Sequence, residues 1–139
     1  MTARVTLTVV EGESPGREYV FSGRVIGTVG RSRDCLVQLP NNMLHMNVSR
    51  HHCQLEVDPP RVWVRDLGSR NGTFVNGEPI GQRSRGQEAE CAAAPDFPLC
   101  RLHEGDELRV GDTVFRVASS VWGEDAAVPT EAEVLVASR

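Results

Sequence analysis

An all-β sandwich is the fold class this sequence predicts, and three observations predict it. Short runs of alternating apolar and polar residues recur along the chain, with Val, Leu and Ile as the repeated apolar types. Alternation of period two places one face of a strand in a core and the other in water. Gly, Pro, Asn and Asp punctuate those runs at short intervals, as tight connections between strands require. No segment of useful length repeats its apolar residues at the helical spacing. About ten or eleven short, mostly antiparallel strands of this kind pack as two sheets face to face, and 139 residues suffice to bury one core without staples.

The elements follow in order. VTLTVV (Val5–Val10) is the first strand, and the Ser14-Pro15-Gly16 turn leads to EYVF (Glu18–Phe21). RVIGTVG (Arg24–Gly30) comes next, then CLVQL (Cys35–Leu39), stopped by Pro40-Asn41-Asn42. HHCQLEV (His51–Val57) and RVWVRD (Arg61–Asp66) form a hairpin across Asp58-Pro59-Pro60. TFV (Thr73–Val75) and EPI (Glu78–Ile80) flank Asn76-Gly77, the strongest short hairpin signal. ELRV (Glu107–Val110) and TVFRVAS (Thr113–Ser119) flank Gly111-Asp112 in the same way. Two stretches break the rhythm. Gln82–Leu99 has no alternation, contains two Pro and an Ala run, and reads as a mobile inserted surface loop with room for a helical turn at Glu88–Ala94. From Trp122 onward the chain is acidic and Ala-rich and reads as a floppy tail or a linker. The expected division is therefore a domain at 1–121 with an insertion at 82–99, followed by a tail or linker at 122–139.

Composition narrows the function. No apolar run is long enough to cross a bilayer, and the N-terminus alternates at once, without the apolar core of a signal peptide. A soluble, cytoplasmic protein without a membrane partner is expected. The 15 basic and 19 acidic residues give a formal charge of −4, which argues against nucleic-acid binding, since that needs a strong positive field. Between Gly30 and Gly72, however, six Arg face four acids. A locally basic segment in an acidic chain suits a small anionic ligand better than a polyanion. The sequence contains no Lys, so every fixed side-chain cation is a guanidinium fork, matched in shape to phosphate and carboxylate. Cys35 and Cys53 lie in strand-like runs and read as core residues. Cys91 and Cys100 flank a loop, and His103 follows, but no fourth ligand lies nearby. Neither a metal nor a cofactor is expected, and an intracellular setting favours reduced thiols.

The informative residues lie between strands. Gly30-Arg31 closes the third, Ser49-Arg50-His51-His52 leads into the fifth, and Ser69-Arg70-Asn71-Gly72 joins the sixth to the seventh. Loops at one end of a sandwich converge. A shared rim would offer Arg31, Arg50 and Arg70 as forks, Ser49 as a hydroxyl donor and Asn71 as a carboxamide. Such a set suits a phosphate dianion with an extended peptide beside it.

These three motifs, GR, S-x-x-H and S-x-N-G in that order, resemble the forkhead-associated (FHA) domain family, over about Val5 to Val117 apart from the insertion. The resemblance implies an FHA-type sandwich of eleven strands that binds phosphothreonine peptides through its apical loops and catalyses nothing. It implies phosphate contacts at Arg31 and Ser49, with Arg50 at a variable position that often touches the phosphate. Arg70 stands where members often have Thr or Ser. Asn71 matches the residue that holds the peptide backbone, and the loop near Asn47 matches the one that reads the third residue after the phosphothreonine. His52 matches a structural histidine, and Gly30 and Gly72 match tight backbone positions. The implied partner is a phosphothreonine-containing protein or a Ser/Thr kinase. The insertion after Ile80 departs from the compact pattern.

Two other classes remain as alternatives. A phospho-independent scaffolding sandwich would need none of the Arg. Ser49, His52 and Asp66 hold the residue types of a serine hydrolase, but Ser49 lies in no G-x-S-x-G elbow, and three residues along one loop is a poor geometry for a base.

Overall fold

A computed structural model of the chain describes residues 2–40, 42, 45–82, 97–122 and 134–137, the side chains of Thr2, Trp122 and residues 134–137 excepted. Its strands are β1 (Thr2–Glu11), β2 (Glu18–Phe21), β3 (Val25–Gly30), β4 (Val37–Gln38), β5 (Cys53–Asp58), β6 (Arg61–Asp66), β7 (Thr73–Val75), β8 (Glu78–Gly81), β9 (Cys100–Leu102), β10 (Glu107–Val110), β11 (Thr113–Trp122) and β12 (Val134–Ala137). They form a seven-stranded sheet in the order β12-β2-β1-β11-β10-β7-β8 and a five-stranded sheet in the order β4-β3-β5-β6-β9. The pairings are antiparallel except for β3 with β4. The architecture is a two-sheet, almost wholly antiparallel β-sandwich.

The alternation read in the sequence becomes the core. Val5, Leu7 and Val9 of β1, Phe21 of β2, Leu55 and Val57 of β5, Val62 and Val64 of β6, and Phe115 and Val117 of β11 are all buried. Tyr19 and Phe115 meet edge to face, with ring centroids 5.9 Å apart. Phe21 and Phe115 are fully enclosed, and truncating either costs about 3–5 kcal/mol. The Asn76-Gly77 turn has both residues at positive φ, 52° and 83°, as a type I′ hairpin turn requires.

Three elements differ from the sequence reading. The run Cys35–Leu39 contributes only Val37–Gln38, because its parallel register with β3 covers Val29↔Val37 and Gly30↔Gln38 alone. β9 was not anticipated, three residues being too few to show alternation; it adds to β6 through Val62↔Leu102. Beyond Trp122, where the sequence shows no strand, Val134–Ala137 form β12, which pairs with β2 from Val134↔Phe21 to Ala137↔Glu18. The far edge of β2 would otherwise present unpaired backbone groups, and a short added strand satisfies them. The helical turn expected at Glu88–Ala94 lies outside the described residues.

Candidate functional site

The site begins where β3 ends. Gly30 is buried, and a Cβ built on it would lie 2.0 Å from the carbonyl oxygen of Arg50 and 2.9 Å from that of Ser49. The loop that carries Ser49 and Arg50 therefore rests directly on the Gly30 backbone, and only the absence of a side chain permits it. That seat lets the Arg31 amide donate to the Ser49 carbonyl at 3.3 Å and the Ser32 amide to the Arg50 carbonyl at 3.1 Å. The Arg31 guanidinium is set in plane by its Nε, which donates to the Val48 carbonyl.

His52 holds the same loop from beneath. Its ring is fully buried; Nδ1 accepts from the Ser49 amide at 3.0 Å, and Nε2 lies 2.7 Å from the Gly72 carbonyl. An amide can only donate and a carbonyl can only accept, so the ring is the neutral tautomer with hydrogen on Nε2. Burial pushes the His52 pKa below its ordinary 6.5, against the smaller upward pull of the Gly72 carbonyl and Asp66. One side chain thus joins the serine loop to the loop between β6 and β7.

The β6–β7 loop has its own anchor in Asp66, a buried carboxylate. Its Oδ2 accepts from the amides of Gly68 at 2.8 Å and Ser69 at 2.9 Å. Its Oδ1 accepts from the hydroxyls of Ser69 at 2.5 Å and Thr73 at 2.6 Å. The Ser69 hydroxyl in turn accepts from the Gly72 amide at 3.0 Å, and Gly72 takes a φ of 92°, a conformation that favours Gly. So shaped, the loop aims the Arg70 amide at the Ser49 hydroxyl oxygen, 3.1 Å away. It also places Asn71 Nδ2 3.0 Å from the Asn47 carbonyl. The Asn47 side chain itself donates to Asp112 of the β10–β11 turn at 3.1 Å, and Gln82 donates to the Arg70 carbonyl at 2.9 Å.

The three motifs therefore meet at Ser49. Its carbonyl takes the Arg31 amide, its amide meets His52, and its hydroxyl takes the Arg70 amide. Arg50, Arg70 and Asn71 are exposed, Arg31 and Ser49 half-buried, and Gly30, His52 and Gly72 buried. Arg31, Ser49, Arg50, Arg70 and Asn71 thus belong to one rim, while Gly30, His52 and Gly72 lie under it. Because the Ser49 oxygen already accepts the Arg70 amide, its own proton remains to donate to a ligand. Chemically, the rim can bind an oxyanion through guanidinium, hydroxyl and amide donors.

Sequence reasoning missed Asp66 as the anchor of the β6–β7 loop, and it missed Val48, Gln82 and Asp112 as supports of the rim. The Asp66-x-x-Ser69 spacing, which suits side chain-to-backbone turn bonds, was the available signal for the first. The others come from sequence positions too distant to pair by inspection. A hydrolase triad is not assembled: both ring nitrogens of His52 are taken by backbone groups, and Asp66 faces Ser69 and Thr73.

Residues 27–89 match the FHA domain family. An uncharacterised protein of Schizosaccharomyces pombe is 28% identical over 120 residues, covering 83% of this chain and 36% of that protein. The E3 ubiquitin-protein ligase CHFR of Danio rerio is 42% identical over 65 residues, covering 45% of this chain and 9% of the ligase. The chain thus spans a minor part of both curated relatives. A domain solved in a structural and functional study of phosphothreonine-dependent FHA domain interactions superposes with a TM-score of 0.60 at 28% identity, covering 83% of this chain and 95% of that one.

Proposed function

Since this chain carries an FHA domain, a non-enzymatic phosphopeptide-binding module, we propose that it binds a phosphothreonine-containing segment of a partner protein at the rim of Arg31, Ser49, Arg50, Arg70 and Asn71. The observation that carries this reading is the bonding of Ser49. With its oxygen accepting from the Arg70 amide and its loop seated on Gly30, the hydroxyl is oriented before any ligand arrives, which reduces the ordering cost of binding.

In this reading the phosphate takes charge-assisted bonds from the Arg31 guanidinium and the Ser49 hydroxyl. Arg50 and Arg70, both exposed beside Ser49, add positive field. Asn71 is steadied by the Asn47 carbonyl, and its carboxamide oxygen accepts a backbone N–H of the extended peptide. Asn47 is neutral, with its side chain tied to Asp112, so no strong demand for an acidic residue follows three places after the phosphothreonine. Preference for phosphothreonine over phosphoserine comes from seating the extra methyl, worth about 1–3 kcal/mol. The partner is a substrate of a Ser/Thr kinase or the kinase itself, and the domain serves as an adaptor or as the regulatory part of a longer protein.

Calorimetric titration with three versions of one peptide, bearing phosphothreonine, phosphoserine or plain threonine, tests the proposal. Micromolar affinity for the first, weaker for the second and none for the third is expected. Binding also weakens below about pH 6, where the phosphate loses its second charge. Equal affinity for the phosphorylated and plain peptides would instead establish a phospho-independent scaffold.

A further inference from the structure

We propose that Asp34, Cys35 and His51 form a binding site for a divalent transition-metal ion of the zinc class, at the junction of the β3–β4 connection and the serine loop. A carboxylate oxygen, the thiol sulfur and a ring nitrogen of these residues lie within 4.8 Å of one another. His51 Nε2 is 2.8 Å from Asp34 Oδ1. Ligand atoms held tetrahedrally at about 2.0–2.3 Å from zinc lie roughly 3.3–3.8 Å apart, so the His51–Asp34 pair must open by about 0.5 Å and the pairs with the thiol close by at most about 1.5 Å. Asp34, the most exposed of the three at 72%, has room to shift.

The backbone already gathers these ligands. The Cys35 amide donates to the Ser32 carbonyl at 3.1 Å, the Ser32 amide to the Arg50 carbonyl at 3.1 Å, and the Cys35 sulfur lies 3.2 Å from that same carbonyl. Two loops far apart in sequence are thus held so that a thiol, an imidazole and a carboxylate face one point. This donor set suits zinc or cobalt over magnesium or calcium, which prefer oxygen alone. A fourth position is left for water or for a side chain of a partner.

The charges balance. An arriving M²⁺ displaces the Cys35 thiol proton to solvent, and the His51 hydrogen moves from Nε2 to Nδ1 as Nε2 takes the metal. One thiolate and one carboxylate then offset the two positive charges. Because binding releases the thiol proton, metal affinity rises with pH. The ion would cross-link the segment after Arg31 to the loop bearing Ser49 and Arg50. Its effect on ligand affinity rests on the phosphopeptide reading above, whereas the metal site does not.

The test is titration of the reduced, metal-free chain with Co²⁺, without any peptide, followed by absorption spectroscopy. A thiolate-to-cobalt charge-transfer band is expected. It should vanish in Cys35→Ser, require more than about tenfold more Co²⁺ in His51→Ala, and persist in Cys100→Ser. No band at saturating Co²⁺, or a band that survives Cys35→Ser, would overturn the proposal. A second measurement needs no variant: Zn²⁺ should slow alkylation of Cys35 by iodoacetamide at least about tenfold, read by peptide mass spectrometry, with Cys100 as the internal reference. An unchanged Cys35 rate would refute the site equally.

Discussion

Replacing Gly30 with Ala places a methyl carbon 2.0 Å from the Arg50 carbonyl oxygen and 2.7 Å from its carbonyl carbon. Both are backbone atoms, so no rotamer change relieves the overlap. Reaching an ordinary contact of about 3.4 Å moves that carbonyl by roughly 1.4 Å. A shift of that size breaks the bond from the Ser32 amide to the Arg50 carbonyl and the one from the Arg31 amide to the Ser49 carbonyl. Two such bonds contribute about 1–3 kcal/mol together, a loss of roughly 4–12 °C in melting temperature at this chain length. Affinity should suffer more than stability. The Ser49 hydroxyl moves with its loop, away from the Arg70 amide and the Arg31 guanidinium, and we expect phosphothreonine-peptide binding to weaken by more than about tenfold, or 1.4 kcal/mol. The comparator is Gly77→Ala at the tip of the β7–β8 hairpin. There φ is 83° and no atom lies within 4 Å of an added Cβ, so backbone strain of about 1–2 kcal/mol lowers stability while affinity stays unchanged. Differential scanning calorimetry and peptide titration on both variants read the two effects separately. A Gly30→Ala protein with wild-type melting temperature and affinity would show that the serine loop does not rest on Gly30, and the account of the site would fail.

Four further outcomes follow from the same contacts. Arg31→Ala and Ser49→Ala should abolish phosphopeptide binding in the titration, yet each should melt within about 1 kcal/mol of the parent, since the serine loop is seated by the Gly30 backbone and the His52 ring, which both variants keep. His52→Ala strands the Ser49 amide and the Gly72 carbonyl, so chemical denaturation should show a loss of about 2–5 kcal/mol. The depressed His52 pKa means the unfolded chain binds the extra proton more readily. Its contribution is therefore fully present above about pH 6.5 and is lost as pH falls from there towards the folded-state value, a slope that stability curves of His52→Ala should lack. Asp66→Asn puts an NH2 group where the carboxylate accepts four bonds; a loss of at least about 2 kcal/mol and weaker peptide binding are expected, and unchanged values would remove Asp66 from the anchor role. Replacing residues 83–96 with a short Gly-Ser linker should leave folding and affinity intact, because each doubling of a loop changes its closure cost by only about 0.6 kcal/mol. The exchange must spare Gln82, bonded to Arg70, and Phe97, whose ring lies over Gly81; a tenfold loss of affinity would show that the replaced stretch supports the rim.

The strands were legible because their cause is local. Val5, Leu7 and Val9 alternate in sequence and are buried together in the structure, and Asn76-Gly77 carries its turn conformation in its own residue types. The motif residues were legible for a related reason: Gly30-Arg31, Ser49–His52 and Ser69–Gly72 each sit at a strand end, where loops of a sandwich gather. β9 and β12 were not legible, since a three- or four-residue strand at a sheet edge is specified by its neighbour, β6 or β2, more than by its own pattern.

By itself, then, the sequence determined the all-β class, the hairpins and the set of guanidinium and hydroxyl groups available at the loops, all of which depend on residue type and short spacing. Only the tertiary structure decided how those groups are held. The neutral tautomer of His52 follows from an amide three residues before it and a carbonyl twenty residues after it. The role of Gly30 follows from a loop twenty residues further along the chain, and the roles of Asp66 and Asn47 follow from the hydroxyls, amides and turn that fold against them. Gly30 meets the serine loop because β3 and β5 pair in one sheet, whereas His52 reaches Gly72 and Asn47 reaches Asp112 only once loops attached to the two sheets come together.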